Sequence, residues 1–344
     1  MPPSAKSERK KIPIVLESLN SKMGVGKCLH PLLPEHKDSC DAVAAFLLFV
    51  HERQTIWKKK QEGRQDLTEN KILSTKLFCN VYRELDKGSQ YMRNCLLQRD
   101  LQETPSHMIS HEVVERVLFK SIVYRLINKV DTFVEFGGLP SKEENKSFVK
   151  FLLNKRAKGE VSFTAAHQNM GYDRLQETLH FVKKNIKSLA TQVVKGAEAR
   201  SLKVAHKALV ATPNIGAFFA WQILCDLLEN RVLGANTDNQ WVCLGPGGKS
   251  GLRKIFPLET TEEIKFIRLL RDICNPRGPM SGFTALALEF PAFLEKPLSV
   301  KNVEHSLCEF NKWWNSPPHI VQVLVGFSKA WLKTSSHILH LPPV

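Results

Sequence analysis

Apolar residues recur at intervals of three or four along most of this chain from residue 41 onward, and this periodicity constrains the fold more than any other feature. In SHEVVERVLFKSIVYRLINKV, for example, Val114, Leu118 and Ile122 follow one another at spacings of four. This spacing places them on one face of an α-helix, whereas a strand would show alternation, which is nearly absent. The sequence therefore predicts an all-α fold, a two-lobed helical bundle of about ten or more helices.

The predicted helical body spans residues 41–315, with lobes at about 41–195 and 196–315. Residues 1–40 are rich in Lys, Ser and Pro and lack periodicity, so we expect a mobile basic arm there. The sequence assigns no role to the proline-interrupted extension at 316–344. No apolar run approaches the roughly 18 residues of a membrane span, and the N-terminus does not resemble a signal peptide. We expect an intracellular protein, and the basic clusters SERKK and KKK favour the nucleus.

The formal net charge of +15 indicates an acidic partner. DNA or another nucleic acid is the leading candidate, because neutralising phosphates releases counterions and favours binding. A basic surface that serves only solubility is the alternative. The eight cysteines form no C-x-x-C pair, so we expect free thiols and predict neither a metal nor a cofactor. The sequence does not identify a protein partner.

A glycine turn precedes a very apolar helix in TPNIGAFFAWQILCDLL, which occupies residues 212–228. Pro213 fixes its own φ, and we expect Gly216 to adopt a backbone angle that other residues avoid. Another helical pattern, ARSLKVAHKALVA, lies just before the turn, so the arrangement is helix, turn, helix. Free N–H groups at the start of the second helix would suit a phosphate oxygen, with Pro213, Asn214 and Gly216 at the contact. A simple connection between two packed helices is the alternative.

Three further segments carry candidate functional residues. In NVYRELDKGSQ, Arg83 and Asp86 are three apart and are expected to share a helix face, as a phosphate ligand and a carboxylate or as a local ion pair. In GPGGKSGL, a glycine-rich turn would present backbone N–H groups to a phosphate, or would merely be flexible; its candidate contacts are Gly245, Gly247 and Lys249. In EHSLCEFNKWW, Glu304 is a candidate catalytic carboxylate, or the helix simply packs.

The segment MGVGKC at 23–28 does not meet the requirements of a nucleotide-binding loop. Ser21 and Cys28 stand where that motif needs a Gly and a Ser or Thr. The sequence therefore argues against autonomous phosphoryl transfer through this stretch.

The sequence TPNIGAFFAWQIL resembles the L-P-x-[IV]-G hairpin of the helix-hairpin-helix DNA glycosylases. The resemblance implies an essential aspartate some way beyond the hairpin glycine, and Asp238 lies 22 residues after Gly216. Asp226 is a competing carboxylate inside the apolar helix. Bifunctional members carry a lysine where this chain has Phe218, and the four-cysteine iron–sulfur pattern is missing, so the resemblance does not extend to lyase chemistry.

A second resemblance covers residues of about 45 to 314. The blocks HERQTIWKKKQEG, LTENKILSTKLFCNVYRELDKGSQ, FKSIVYRLINKVDTF, NIGAFFAWQILCDLL, LGPGGKSGL and VEHSLCEFNKWW occur in this order. They resemble the helical-domain family named for 5-hydroxymethyluracil DNA kinases and α-glutamyl/putrescinyl-thymine pyrophosphorylases, viewed as a distant branch of the glycosylase fold. The chain departs from that family at Asp66-Leu67-Thr68, at Asp86-Lys87-Gly88-Ser89-Gln90 and at Gly245-Pro246-Gly247-Gly248.

The resemblance implies a DNA-binding protein that flips a 5-hydroxymethyluracil-type base out of the helix, because the reactive atom is unreachable inside the stack. It would act by group transfer, as in thymine hypermodification, or by glycosylase-like hydrolysis. Asp238, Asp86 or Glu304 would supply the catalytic carboxylate, while Arg83 and Lys249 would hold phosphate. A non-catalytic DNA reader that keeps the fold, and a helical scaffold without a nucleic-acid role, are the alternatives.

Overall fold

The computed structural model describes residues 40–102, 110–164, 171–234, 239, 241–256, 263–274 and 297–316. Within these ranges all regular secondary structure is helical, which confirms the all-α prediction. Apart from Cys40 and Ser316, the predicted basic arm and the C-terminal extension lie outside the described residues. Among the described helices, none combines the length and the apolar character that crossing a bilayer requires.

The α-helices are numbered in chain order. The first seven are α1 Cys40–Gln61, α2 Lys71–Thr75, α3 Lys87–Tyr91, α4 Gln98–Gln102, α5 His111–Ile127, α6 Val130–Phe136 and α7 Asn145–Ala157. The others are α8 Tyr172–Glu198, α9 Leu202–Val210, α10 Ala217–Glu229, α11 Pro246–Ile255, α12 Glu263–Ile273 and α13 Val300–Trp314. A 3-10 turn at Arg83–Leu85 and a π-helical turn at Met92–Leu96 flank α3.

The chain forms two compact units. The first, Met1–Arg83 with Leu244–Val344, contains α1, α2, α11, α12 and α13, whereas the second, Glu84–Cys243, contains α3 to α10. The predicted lobe boundary at 195/196 instead falls inside α8. The structural division differs from the predicted one because the helices near the two ends of the chain pack together, and such contacts leave no trace in local periodicity.

In the first unit, α13 packs against both α1 and α11. Aromatic rings make the contact with α1, with ring centroids 5.5 Å apart for Phe46 and Phe310. The contact with α11 depends on glycine, because a Cβ added at Gly251 would lie 2.2 Å from the carbonyl oxygen of Leu307. The two backbones therefore approach more closely than any side chain on that face would allow.

In the second unit, α5 is buried along most of its length, and α8 and α10 pack on it. Arg125 on α5 donates through Nε to Oδ2 of Asp226 on α10 at 2.6 Å, and its Nη2 donates to Oδ1 of the same carboxylate. This buried, two-point ion pair fixes α10 on α5. It explains why this largely apolar helix carries a buried aspartate, and it gives Asp226 a structural role.

Candidate functional site

The predicted helix–turn–helix is present in the second unit, where α9 and α10 pack together across the turn at residues 211–216. Ile215 is buried beneath the turn, whereas Asn214 and Gly216 are exposed. The left-handed backbone conformation belongs to Asn214, with φ of +60°. Gly216 has an ordinary φ of −76°, so the predicted unusual angle at that residue is wrong. Asn tolerates the left-handed region better than most residues, which lets it replace glycine here.

The turn is anchored on α8. The hydroxyl of Thr178 lies 3.0 Å from the carbonyl oxygen of Pro213, within hydrogen-bonding distance. The side-chain amide of Asn214 donates to Oε2 of Glu177 at 2.8 Å. The side chain of Asn214 therefore serves the shape of the turn, which leaves backbone N–H groups as the main polar groups that the tip can offer to a ligand.

Exposure changes sharply along α10. Gly216, Ala217 and Phe218 are exposed at its amino end, whereas Trp221 and most residues after it are buried. The first N–H groups of any α-helix lack partners within the helix. The structure thus combines an exposed helix start with a buried helix body, as the sequence predicted for this segment.

His206 connects α9 to the start of α10, the two helices that form the hairpin together with the turn at residues 211–216. Its Nε2 donates to the carbonyl oxygen of Ala217 at 2.9 Å, and its ring lies 5.1 Å from that of Trp241. Burial lowers the pKa of His206 below its ordinary value, although the hydrogen bond to Ala217 opposes this effect. Burial in the fold therefore favours the neutral form of His206.

In the first unit, α11 borders an open cavity of about 670 Å³ along its length, from Pro246 in its first turn to Lys254 in its last. Its lining includes three cationic side chains and one hydroxyl, with the full set being Leu244, Pro246, Lys249, Ser250, Arg253 and Lys254. Lys249 Nζ also lies 3.6 Å from Oε1 of Glu263. The cations and the start of α11 give the cavity a chemistry suited to a phosphate group.

The glycines of GPGGKSGL are not a flexible turn, because α11 begins at Pro246 and continues through them. Gly247 faces α13, where an added Cβ would lie 2.6 Å from Sγ of Cys308. Gly245, just before the helix, has nothing within 4 Å of such a Cβ. The prediction of a glycine-rich turn is therefore wrong for Gly247, which lies within α11 and packs against α13, while the role of Gly245 as a phosphate contact stays a prediction.

The candidate residues around the NVYRE block occupy different environments. Arg83 is 3% exposed, and its backbone N–H lies 3.5 Å from Oδ1 of Asn302. Asp86 is half-buried and has an extended backbone just before α3, so the prediction that Arg83 and Asp86 share a helix face is wrong.

Glu304, on α13, is 7% exposed and lies beside Gly248. The functional roles assigned to Arg83, Asp86 and Glu304 stay predictions, and Asp238 lies outside the described residues.

Arg253 and Lys254 were not among the residues singled out from the sequence. Arg253 follows Lys249 by four positions on α11, so their spacing was the available signal for a shared cationic face. No sequence pattern marks Thr178 as the anchor of the hairpin turn, because that contact joins residues 35 positions apart.

A protein-family model described as "5-hmdU DNA kinase, helical domain" matches residues 41–320, which is most of the chain. Searches of curated proteins and of solved structures gave no match. The matched range begins in α1 and extends past α13, so it contains both the hairpin and the cationic cavity.

Proposed function

Because the chain belongs to the family of the 5-hmdU DNA kinase helical domain, we propose that it binds DNA and acts on a 5-hydroxymethyluracil-type base flipped out of the duplex. Group transfer to or from the 5-hydroxymethyl group is the reaction that best fits this family. Glycosylase-like hydrolysis is the alternative chemistry, and lyase chemistry is not proposed, since Phe218 stands where bifunctional glycosylases carry a lysine.

The observation that carries the proposal is the exposed start of α10 above its buried body. Backbone N–H groups at Gly216 and Ala217 would approach a DNA phosphate, and the helix dipole adds a favourable positive potential there. Ile215 and His206 hold the turn in place from below. This contact is independent of sequence, so it would position the duplex and leave base recognition to other residues.

The cationic cavity beside α11 provides separate support. Lys249, Arg253 and Lys254 would hold a further phosphate, either in the DNA backbone or on the group being transferred. Asp86, Glu304 and Asp238 remain the proposed carboxylates. One of them would accept the proton of the attacking hydroxyl as that oxygen bonds to the group being transferred.

The hairpin is tested by Gly216→Ala. An added Cβ meets nothing within 4 Å and φ is ordinary, so the fold should be unaffected. The methyl group would nevertheless stand beside the proposed phosphate contact, and we expect duplex affinity to fall by about fivefold, or about 1 kcal/mol. Val134→Ala, which trims an exposed side chain on α6, is the matched control. Unchanged affinity with unchanged melting temperature would reject the hairpin as the DNA contact.

The chemistry is tested by incubating the protein, with and without a nucleoside triphosphate as phosphoryl donor, with duplexes that carry thymine, 5-hydroxymethyluracil or its pyrophosphorylated form, followed by nucleoside mass spectrometry. We expect turnover of one of the two modified bases and its loss in Asp86→Asn, Asp238→Asn or Glu304→Gln. Binding that distinguishes the modified duplex without any turnover would identify a DNA reader. Absence of binding to every duplex would reject the proposal.

A further inference from the structure

The backbone of residues 76–80, between α2 and the Arg83–Leu85 turn, is held by charged side chains. Arg53 on α1 donates through Nε to the carbonyl oxygen of Cys79 and through Nη2 to that of Phe78, each at 3.0 Å. The same Nη2 donates to Oδ1 of Asn80 at 2.8 Å. One guanidinium group therefore fixes three consecutive residues of this segment.

Helix α13 holds the same segment from its own side. Lys312 donates to the carbonyl oxygen of Leu77, and its Nζ lies 4.7 Å from the ring centre of Phe78. Glu309 accepts a hydrogen bond at 3.0 Å from the backbone N–H of Cys79. Since carbonyl groups at 77, 78 and 79 and the N–H at 79 all have charged partners, the backbone here has little freedom to rearrange.

Against this fixed backbone, the side chain of Leu77 is 91% exposed. The next most exposed large apolar side chains in the described ranges, Val134 and Val161, reach only 55%. Lys71 and Lys76 are also exposed nearby in sequence. The first unit thus presents an exposed apolar side chain on a well-anchored backbone, close to lysine side chains. A leucine on a mobile loop would instead fold back onto the surface.

We propose that Leu77 is a wedge that enters the DNA base stack beside the base being flipped. This inference rests on the proposed function. A side chain that wedges between bases must be apolar, must project from the surface and must be held by a backbone that does not move on contact with the DNA. Apolar side chains such as Leu insert between base steps in this way. Lys71 and Lys76, which are exposed nearby, would contact the phosphates on either side. Contacts made by the inserted Leu77 side chain would replace part of the stacking lost when the neighbouring nucleotide is extruded.

The test uses the full chain and a duplex with 2-aminopurine next to a 5-hydroxymethyluracil, because 2-aminopurine becomes more fluorescent when it is unstacked. We expect the wild-type protein to raise the fluorescence and Leu77→Ala to lose most of that rise. Leu77→Met should retain it, because Met keeps the apolar length. Duplex affinity of Leu77→Ala should stay within about tenfold of wild type, since phosphate contacts supply most of the affinity. Val161→Ala is the control for loss of an exposed apolar side chain.

The two proposals fail differently in this experiment. Duplex binding by wild type with no rise in fluorescence, or an equal rise with Leu77→Ala, would overturn the wedge and leave DNA binding in place. No binding by wild type would overturn the proposed function and the wedge together. Loss of binding by Leu77→Ala with an unchanged melting temperature would overturn the wedge as well, because Leu77 would then be an affinity contact.

Discussion

At the scale of single residues, three glycines of this chain have two kinds of surroundings. Gly251 permits close contact of α11 with α13, whereas Gly245 and Gly216 each have an ordinary φ with nothing within 4 Å of an added Cβ. Glycine was the expected residue for the left-handed position of the hairpin turn, but Asn214 occupies it. The reason for each glycine therefore lies in its surroundings.

Substitution of Gly251 tests the packing role. In Gly251→Ala the new methyl group would lie 2.2 Å from the carbonyl oxygen of Leu307, a backbone atom that cannot move without shifting α13. We expect a loss of about 1–3 kcal/mol in the free energy of unfolding, as for other overpacked sites. Urea denaturation measures it, and Gly245→Ala, with nothing within 4 Å, should change stability far less. Equal stability of the two variants would contradict the packing seen between α11 and α13.

The sequence predicted what depends on local pattern and missed what depends on distant contacts. Helical periodicity gave the fold class, and the exposed start and buried body of α10 followed from its composition. The burial of Arg83 could not be read from its neighbours in the sequence, because α13 contributes Asn302 beside it. The glycines of α11 were misinterpreted for the same reason, since the residues of α13 that they contact are 56 or more positions away in the sequence.

At the scale of helices, the contact between α9 and α10 includes a titratable group, because His206 donates to the carbonyl oxygen of Ala217. Burial lowers the pKa of His206 in the folded protein. As the pH falls, the unfolded chain therefore binds the proton first. The stability conferred by the neutral ring is complete above the unfolded pKa of about 6.5 and is lost as the pH falls from there through the lower folded value.

We accordingly expect the melting temperature to fall on acidification from neutral pH to about pH 5.5, with one proton contributing at most about 1.4 kcal/mol per pH unit. His206→Gln, whose side-chain amide can still donate to Ala217, should weaken this dependence. Differential scanning calorimetry over the pH range provides the measurement. His180→Gln, at an exposed site on α8, should keep the wild-type dependence. A pH dependence that survives in His206→Gln would place its source elsewhere.

At the scale of the whole molecule, the net charge of +15 and the proposed base specificity make separable contributions to DNA binding. Phosphate contacts release counterions, so the logarithm of affinity should fall linearly with the logarithm of salt concentration, by about 0.9 per contact. Four contacts would give a loss of roughly 100-fold between about 50 and about 200 mM NaCl. Recognition of a flipped base involves no counterions, so the ratio of affinities for 5-hydroxymethyluracil and thymine duplexes should stay constant over that range.

Fluorescence anisotropy titrations measure both quantities, and Lys249→Gln and Arg253→Gln should each reduce the slope by about 1 if they contact phosphate. A preference for the modified duplex that disappears as salt rises would mean that charge alone produces it, and affinity that is independent of salt would exclude the proposed phosphate contacts.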